Sequence, residues 1–237
     1  MSSLITKHIP NTLTLCNLLS GAAATVYALE GDFVMALTMI IIGAVFDFFD
    51  GFSARMLGVS TGIGKELDSL ADDITFGLAP AAVVFTLLQS FVQLADAPWT
   101  WVPWLGFLIA AFSARRLAVF NLDTRQTGSF IGLATPANAL FWGAFAISMK
   151  AWLLANGIGL YLVLVLIVLS CWLMNAELPM FALKFKSFAW RPNAVRYLFL
   201  LSSLLIILGF LLLVHSIAGV WIAILWYIVL SVAFGAQ

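Results

Sequence analysis

Long apolar runs follow one another along almost the whole chain, and short segments between them carry most of the charge. A helix needs roughly 20 apolar residues to cross a bilayer. Residues 2–11 are too short to span and place Lys7 and His8 among apolar residues, which favours a short N-terminal interfacial segment. A cleaved signal peptide ending near Ala22 to Ala24 is the alternative for this region. The pattern predicts eight membrane-spanning helices, at 12–29, 31–54, 66–93, 101–122, 132–154, 157–176, 195–214 and 217–235.

The composition leads to the same fold class. Of the 237 residues, 63% are hydrophobic and 9% are charged, whereas a soluble domain is ~45–50% apolar and ~25% charged. A water-soluble core of this size could not bury so much apolar surface. The predicted fold is therefore all-α, a polytopic membrane helix bundle with about eight transmembrane helices. Residues 1–194 are expected to form the core, with about six of these helices, and residues 195–237 a C-terminal pair that serves for packing.

The distribution of charge predicts an orientation. The net charge is zero, which argues against a nucleic-acid partner. With a cytoplasmic N-terminus, every Lys and Arg except Lys150 falls at the cytoplasmic side, which predicts that both termini face the cytoplasm. The absence of an organelle-targeting signal favours a prokaryotic cytoplasmic membrane. Both cysteines, Cys16 and Cys171, lie inside apolar runs, so a bound metal would be held by oxygen or His ligands.

Aspartates inside two neighbouring spans are the main candidates for chemistry. Asp47 and Asp50 are three residues apart and Asp68 and Asp72 four apart, so each pair shares a helix face. The short connection around 56–63 makes the two helices antiparallel neighbours, which brings the four carboxylates together. Each aspartate at mid-membrane costs ~2.5–3.5 kcal/mol on insertion scales, so compensation is required. Carboxylates without nitrogen or sulfur ligands suit hard cations, and two Mg²⁺ or Mn²⁺ ions would balance the charge.

Small and basic residues beside the aspartates indicate phosphate chemistry. Gly51 and Ala54 flank Asp50, and Gly64 lies one turn before Asp68, so a diphosphate could approach the backbone closely. Arg55 lies roughly on the face of Asp47 and could clamp phosphate oxygens. On the residues alone, two other interpretations stay open. Gly and Ala could serve close helix packing, or the carboxylates could serve a cation transporter whose third span is broken at Gly77 and Pro80.

The spacing resembles the signature of the CDP-alcohol phosphatidyltransferase family. The chain reads Asp47-Phe-Phe-Asp50-Gly51-Phe-Ser-Ala54-Arg55, then eight residues to Gly64, three to Asp68 and three to Asp72. Every fixed position of D-x2-D-G-x2-A-R-x8-G-x3-D-x3-D is filled. The wider likeness runs from Ile9 to about Asn138, and the stretches 9–17, 67–81 and 114–133 are most similar to members that use L-serine as acceptor.

The resemblance implies an enzyme that transfers a phosphatidyl group from CDP-diacylglycerol to the hydroxyl of L-serine and releases CMP. It implies a homodimer with its active site at the cytoplasmic face and a site for two divalent cations, Mg²⁺ or Mn²⁺. Glycerol 3-phosphate, an inositol phosphate or choline remain alternative acceptors. The implied metal ligands are Asp47, Asp50, Asp68 and Asp72, of which Asp72 is also the general base. The implied contacts of the CDP-lipid are Asp47, Asp50, Gly51, Ala54, Arg55, Gly64 and Asp68.

Two further sets of residues are candidates for substrate contacts. A serine acceptor needs a cation for its carboxylate. The resemblance favours Arg116 over Arg115, because Arg116 matches the first arginine of the stretch shared with the serine-using members, with Asn121 in support. Asp73 is a candidate for the serine ammonium group, or it could only face a polar gap between helices. These arginines could instead only set topology or contact anionic headgroups. Asn11 and Thr14, with Asn17, recur on one helical face, and the resemblance places that face beside the nucleotide; the same residues could instead cap the first span.

Overall fold

The structure is a computed structural model that describes residues 4–59, 62–96, 98–123, 125, 129–183 and 189–234. Nearly all of these residues are helical, which confirms the predicted all-α class. Two three-residue strands, β1 (Ser129–Ile131) and β2 (Pro179–Phe181), pair antiparallel. The helices are α1 (Leu4–Glu30), α2 (Phe33–Leu57), α3 (Gly62–Asp72), α4 (Ala79–Leu94), α5 (Leu108–Leu122), α6 (Thr135–Ala155), α7 (Gly159–Asn175), α8 (Trp190–Leu213) and α9 (Ala218–Phe234).

The helices form eight rods within the described part of the chain, because α3 and α4 are joined by a continuous helical turn. A 3₁₀ segment, Val102–Phe107, leads directly into α5. Six rods are long and apolar enough to cross a membrane, and α7 and α9 are apolar helices of 17 residues each, the lower end of the ~17–25 residues a span needs. The protein is therefore an integral membrane protein. Residues 4–11 of the predicted interfacial segment form the first two turns of α1 and are not a separate element.

The third rod contains a π-helical segment, Asp73–Leu78, between α3 and α4. The backbone N–H of Ala79 donates to the carbonyl oxygen of Ile74, five residues earlier, as a π turn requires. This segment begins immediately after Asp72 and contains Gly77. The helix therefore widens at this point but does not unwind, so the broken span that a transporter would use is not present between Gly62 and Leu94.

Close packing at two glycines brings α1 and α2 against this π segment. A Cβ atom at Gly21 would overlap Oγ1 of Thr75 and would lie 2.6 Å from its Cα. A Cβ atom at Gly43 would lie 2.6 Å from Cγ2 of Thr75 and 2.9 Å from Oδ1 of Asn17. Small residues at helix contacts let backbones approach closely in a membrane. The polar face of α1 is thereby held against the helices that carry the aspartates.

The C-terminal helices pack against the rest of the bundle through side-chain hydrogen bonds. Trp221 Nε1 on α9 donates to Ser148 Oγ on α6 at 3.0 Å. Tyr227 Oη donates to the carbonyl oxygen of Phe181 on β2 at 2.9 Å. The separate C-terminal unit predicted for residues 195–237 stays a prediction, and α9 has direct contacts with the preceding helices.

Candidate functional site

Three carboxylates from α2 and α3 converge at one point of the bundle. Asp47, Asp50 and Asp68 each offer an oxygen atom, and these oxygens lie within 4.8 Å of one another. The connection between the two helices is short because α2 ends in a left-handed turn at Gly58, with φ 63°, and α3 begins at Gly62. The spacing of three residues on α2 places Asp47 and Asp50 on the side that faces α3.

The donor set fits a hard divalent cation. All ligand atoms are carboxylate oxygens, which Mg²⁺ and Mn²⁺ prefer. Within the described residues, the ion pairs join Arg125 to Asp123 and Glu177, and none involves the clustered aspartates. Asp50 is only 6% exposed. Carboxylates at this separation, one of them buried and two partly buried, repel one another unless a cation lies between them.

Helix α1 provides polar side chains that contact the cluster from the other side. Thr14 Oγ1 donates to Oδ2 of Asp50 at 2.6 Å. Asn17 Nδ2 donates to Oδ1 of Asp72 at 3.0 Å. The carboxyl group of Asp72 is also within hydrogen-bonding reach of Asp47. All four aspartates of the motif are therefore brought together. Asp72 is adjacent to the oxygens of Asp47, Asp50 and Asp68, here called the three-oxygen group, rather than one of them.

A cavity of about 230 Å³ opens beside the cluster, between α1, α2 and α3. The guanidinium of Arg55 folds back over Gly51, and its Nη1 would lie 3.4 Å from a Cβ atom at that position. The cavity therefore has a floor of carboxylates and glycine backbone. It is lined by Pro10, Asn11, Thr14, Asp50, Gly51, Ala54, Val59, Gly64, Lys65 and Asp68, which include most of the residues expected to contact a CDP-lipid.

Arg116 lies on α5 and is the buried cation nearest to this site among the described residues. Its side chain is 7% exposed, and its Nε has no hydrogen-bond partner there. The guanidinium lies 5.9 Å from the ring centroid of Phe120 and interacts electrostatically with Asp72 and Tyr227. A second cavity, of about 130 Å³, is lined in part by Arg116, Arg115 and Asn175.

The other expected acceptor residues make contacts within the fold. Arg115 is exposed, and its Nη1 donates to Oδ1 of Asn175 on α7 at 2.6 Å. Asn121 Nδ2 donates to Ser69 Oγ at 2.7 Å. Asp73 carries a buried oxygen, Oδ1, that lies beside Gly77 and Ser113. These contacts tie α5 to α3 and α7, so the structure brings Arg116, but not Arg115, close to Asp72.

Two neighbours of this region carried no signal in the sequence. Tyr227 comes from α9, which was expected only to pack, and it faces Arg116. Ser113 lies one turn before Arg116 and approaches the π segment. Tyr227 is an isolated polar residue in an apolar run, and only the tertiary fold brings either side chain to the site.

Comparison with known proteins agrees with the motif. The family model described as CDP-alcohol phosphatidyltransferase matches residues 7–234. Curated relatives named CDP-diacylglycerol--serine O-phosphatidyltransferase are similar to this chain. The relative from Mycobacterium leprae is 34% identical over 141 residues, 56% of this chain and 44% of that protein. The relative from Helicobacter pylori is 34% identical over 134 residues, 55% of this chain and 54% of that protein. The relative from Bacillus subtilis is 33% identical over 134 residues, 55% of this chain and 70% of that protein.

The chain spans about half the length of the first two of these relatives. The family model, by contrast, covers the chain from residue 7, in the first turn of α1, to the end of α9. It includes the aspartate cluster, the cavity beside it and the helix that carries Arg116. The chain belongs to the CDP-alcohol phosphatidyltransferase family.

Proposed function

We propose that the protein transfers a phosphatidyl group from CDP-diacylglycerol to the hydroxyl of L-serine, giving phosphatidylserine and CMP. The observation that carries this proposal is the convergence of Asp47, Asp50 and Asp68 beside a cavity in a membrane protein of this family. The names of the relatives supply the acceptor. The unbroken third rod gives no support to a cation transporter.

The donor binds in the cavity between α1, α2 and α3. A cavity of about 230 Å³ takes the polar diphosphate region of the donor and leaves the acyl chains in the bilayer. Gly51, Ala54 and Gly64 let the donor approach the helix backbones, since larger side chains would fill the space. Arg55 places its guanidinium over Gly51, where it can donate two parallel hydrogen bonds to phosphate. Asn11 and Thr14 form the α1 side of the cavity.

Asp47, Asp50 and Asp68 would hold the divalent cations, and Asp72 is close enough to join them. When bound, the cations would neutralise the diphosphate and the charge that builds on the departing CMP. Thr14 fixes the carboxylate of Asp50 through its hydrogen bond. The burial of Asp50 strengthens each of these charge interactions, because electrostatic attraction is less screened away from water.

Asp72 acts as the general base. It accepts the proton of the serine hydroxyl, and the serine oxygen attacks the phosphorus that carries diacylglycerol. The bond between that phosphorus and the CMP oxygen breaks, so that CMP leaves with the electron pair. Asp72 is suited to this role because Asn17 fixes one of its oxygens, while its position adjacent to the three-oxygen group keeps it next to the reacting phosphate.

Arg116 holds the serine carboxylate. It is a buried cation whose Nε has no hydrogen-bond partner among the described residues, and its guanidinium interacts electrostatically with Asp72, so it can hold an acceptor beside the base. Asp73, one residue beyond the base, faces α5 and is available to the serine ammonium group. Arg115 and Asn121 position α5 through their contacts with Asn175 and Ser69.

Arg116→Met is expected to raise the KM for serine about 100-fold, because a buried charge-assisted pair with the substrate carboxylate is lost. The KM for CDP-diacylglycerol should change by less than about threefold, because Arg116 does not line the donor cavity. Initial rates of CMP release at varied serine and fixed donor measure both constants. Arg115→Met is the matched control, since that side chain is exposed and bonded to Asn175. Equal effects of the two substitutions on the serine KM would contradict the assignment.

We also propose that both termini and the aspartate cluster face the cytoplasm of a prokaryotic cell and that the protein acts as a homodimer. The lysines and arginines of the connections near the cluster support this orientation, since positively charged loops stay cytoplasmic. The homodimer rests on the family alone.

The experiment that tests the proposed function measures CMP release by the purified full chain from CDP-diacylglycerol. Serine, glycerol 3-phosphate, an inositol phosphate and choline are compared as acceptors, with and without Mg²⁺ or Mn²⁺. Cation-dependent release with serine alone is the expected result. Release with another acceptor would retain the phosphatidyl transfer and reject serine, and no release with any acceptor would reject the enzyme.

A further inference from the structure

The hydrogen bonds that hold Asp72 continue beyond it through two fully buried residues. Asn17 on α1 donates from Nδ2 to Oδ1 of Asp72 at 3.0 Å. Thr75, in the π segment, donates from Oγ1 to the backbone carbonyl oxygen of Asn17 at 3.0 Å. Both residues have no exposed surface. The two bonds therefore join the carboxylate, α1 and the π segment in one closed arrangement.

The packing around Thr75 leaves this arrangement little freedom. Thr75 is wedged between Gly21 on α1 and Gly43 on α2, with no room for a Cβ atom at either glycine. Oδ1 of Asn17 lies over Gly43 and has no hydrogen-bond partner among the described residues. The Asn17 side chain therefore bonds to Asp72 through its Nδ2 donor, since an ionised carboxylate can only accept hydrogen bonds. A buried carbonyl oxygen without a hydrogen-bond partner lowers the stability of the fold. An asparagine that served only stability would not be expected in this position.

Thr75 and Asp73 contact different helices. Residues two apart lie on nearly opposite sides of a helix, since each residue turns it by about 100°. Oδ1 of Asp73 lies near Ser113 of α5, and Thr75, in the π segment, packs against Gly21 of α1. π turns inside α-helices occur frequently at functional sites.

We propose that Asn17 and Thr75 are positioning residues that fix the carboxylate of Asp72 for proton transfer, an inference that rests on the proposed function. Asn17 donates to Oδ1 of Asp72 and so fixes the orientation of the carboxylate toward the acceptor hydroxyl. Thr75 acts on Asn17: its bond to the Asn17 carbonyl sets the position of α1 relative to the helix that carries Asp72. Small displacements of a base cost large factors in rate, because proton transfer requires hydrogen-bond geometry.

The test compares variants that separate the hydroxyl of Thr75 from its shape. Thr75→Val keeps the branched shape and removes the donor, and Thr75→Ser keeps the donor. Thr75→Val should lower kcat about tenfold and Asn17→Leu about 10–100-fold, the range typical of residues that orient a reactive group. Thr75→Ser should stay within about twofold of the wild type. Thr86→Val is the matched control, because the Thr86 hydroxyl lies on α4 of the same rod and has no hydrogen-bond partner among the described residues.

Two readouts distinguish positioning from a general loss of structure. The KM for CDP-diacylglycerol and the Kd for Mn²⁺, the latter measured by electron paramagnetic resonance on the detergent-solubilised full chain, should change by less than about threefold. Equal losses in Thr75→Val and Thr75→Ser would assign Thr75 to packing and overturn the proposal. So would unchanged kcat in Thr75→Val, or a fall in Mn²⁺ affinity that matches the fall in kcat. If Asn17→Leu does not fold, the comparison of Thr75→Val with Thr75→Ser is sufficient to test the proposal.

The outcome for the wild type separates this inference from the proposed function. Wild-type protein that releases no CMP with any acceptor rejects the proposed function itself. Wild-type turnover with serine, combined with normal kcat in Thr75→Val and Asn17→Leu, rejects only the positioning roles.

Discussion

Asp72→Asn is expected to lower kcat by about 10²–10⁴-fold, the contribution typical of a positioned general base. Asparagine keeps the size of the side chain, and its carbonyl oxygen can still accept the hydrogen bond from Asn17. It cannot take up the proton of the acceptor hydroxyl. Mn²⁺ affinity should fall by less than about tenfold, because the group formed by Asp47, Asp50 and Asp68 keeps its three oxygens. CMP release at saturating serine and Mn²⁺ binding measure the two quantities.

Asp73→Asn is the matched control for this substitution. It removes a carboxylate one residue away, on the side of the helix that faces Ser113. It should raise the KM for serine and leave kcat within about threefold, since Asp73 is proposed to contact the ammonium group and not the reacting oxygen. If Asp72→Asn turned over normally, Asp72 would not be the base. A parallel loss of Mn²⁺ binding and turnover would make it a metal ligand instead.

The features that the sequence predicts are those set by local spacing. Apolar runs of roughly 20 residues define a bilayer span irrespective of what packs against it, and each of the eight predicted spans corresponds to a helical rod. The convergence of Asp47, Asp50 and Asp68 follows from helical periodicity and a short connection, two properties that can be read along the chain.

The features that the sequence does not predict depend on contacts between distant segments. Arg115 and Arg116 are adjacent and chemically identical, yet one is exposed and bonded to Asn175 on α7 while the other is buried near Asp72. The rotation of α5 within the bundle makes this difference, and α5 has no strong amphipathic pattern to define it. β1 and β2 pair across about 50 residues of intervening chain and are too short to give an alternating pattern.

The π segment is a further example. Its residues, Asp73–Leu78, have no composition that distinguishes them from α-helix. The extra residue is accommodated because Thr75 fits between Gly21 and Gly43 on other helices. Gly77 and Pro80 suggested a helix break from sequence, and the tertiary packing instead keeps the rod continuous.

Asp50→Asn is expected to weaken Mn²⁺ binding by at least about 100-fold, more than the loss of a residue that only orients a metal ligand. Asp50 is the most buried carboxylate of the three-oxygen group. Among the described residues, no Lys or Arg side chain lies within ion-pair distance of it. The amide removes one negative charge and one strong oxygen ligand, while Thr14 can still donate to the remaining carbonyl. Titration with Mn²⁺ followed by electron paramagnetic resonance gives the affinity.

The matched control for Asp50→Asn is Asp32→Asn, on the same helix. Asp32 caps the start of α2 through a 2.9 Å bond from the Met35 N–H, and it is exposed. That substitution removes the same charge from the chain, so it should leave Mn²⁺ affinity unchanged if binding depends on the local cluster and not on net charge. CMP release by Asp50→Asn should recover in part at high Mn²⁺, because the defect lies in occupancy. Unaltered affinity in Asp50→Asn would place the cation elsewhere and would leave the repulsion among these buried carboxylates without a counter-charge.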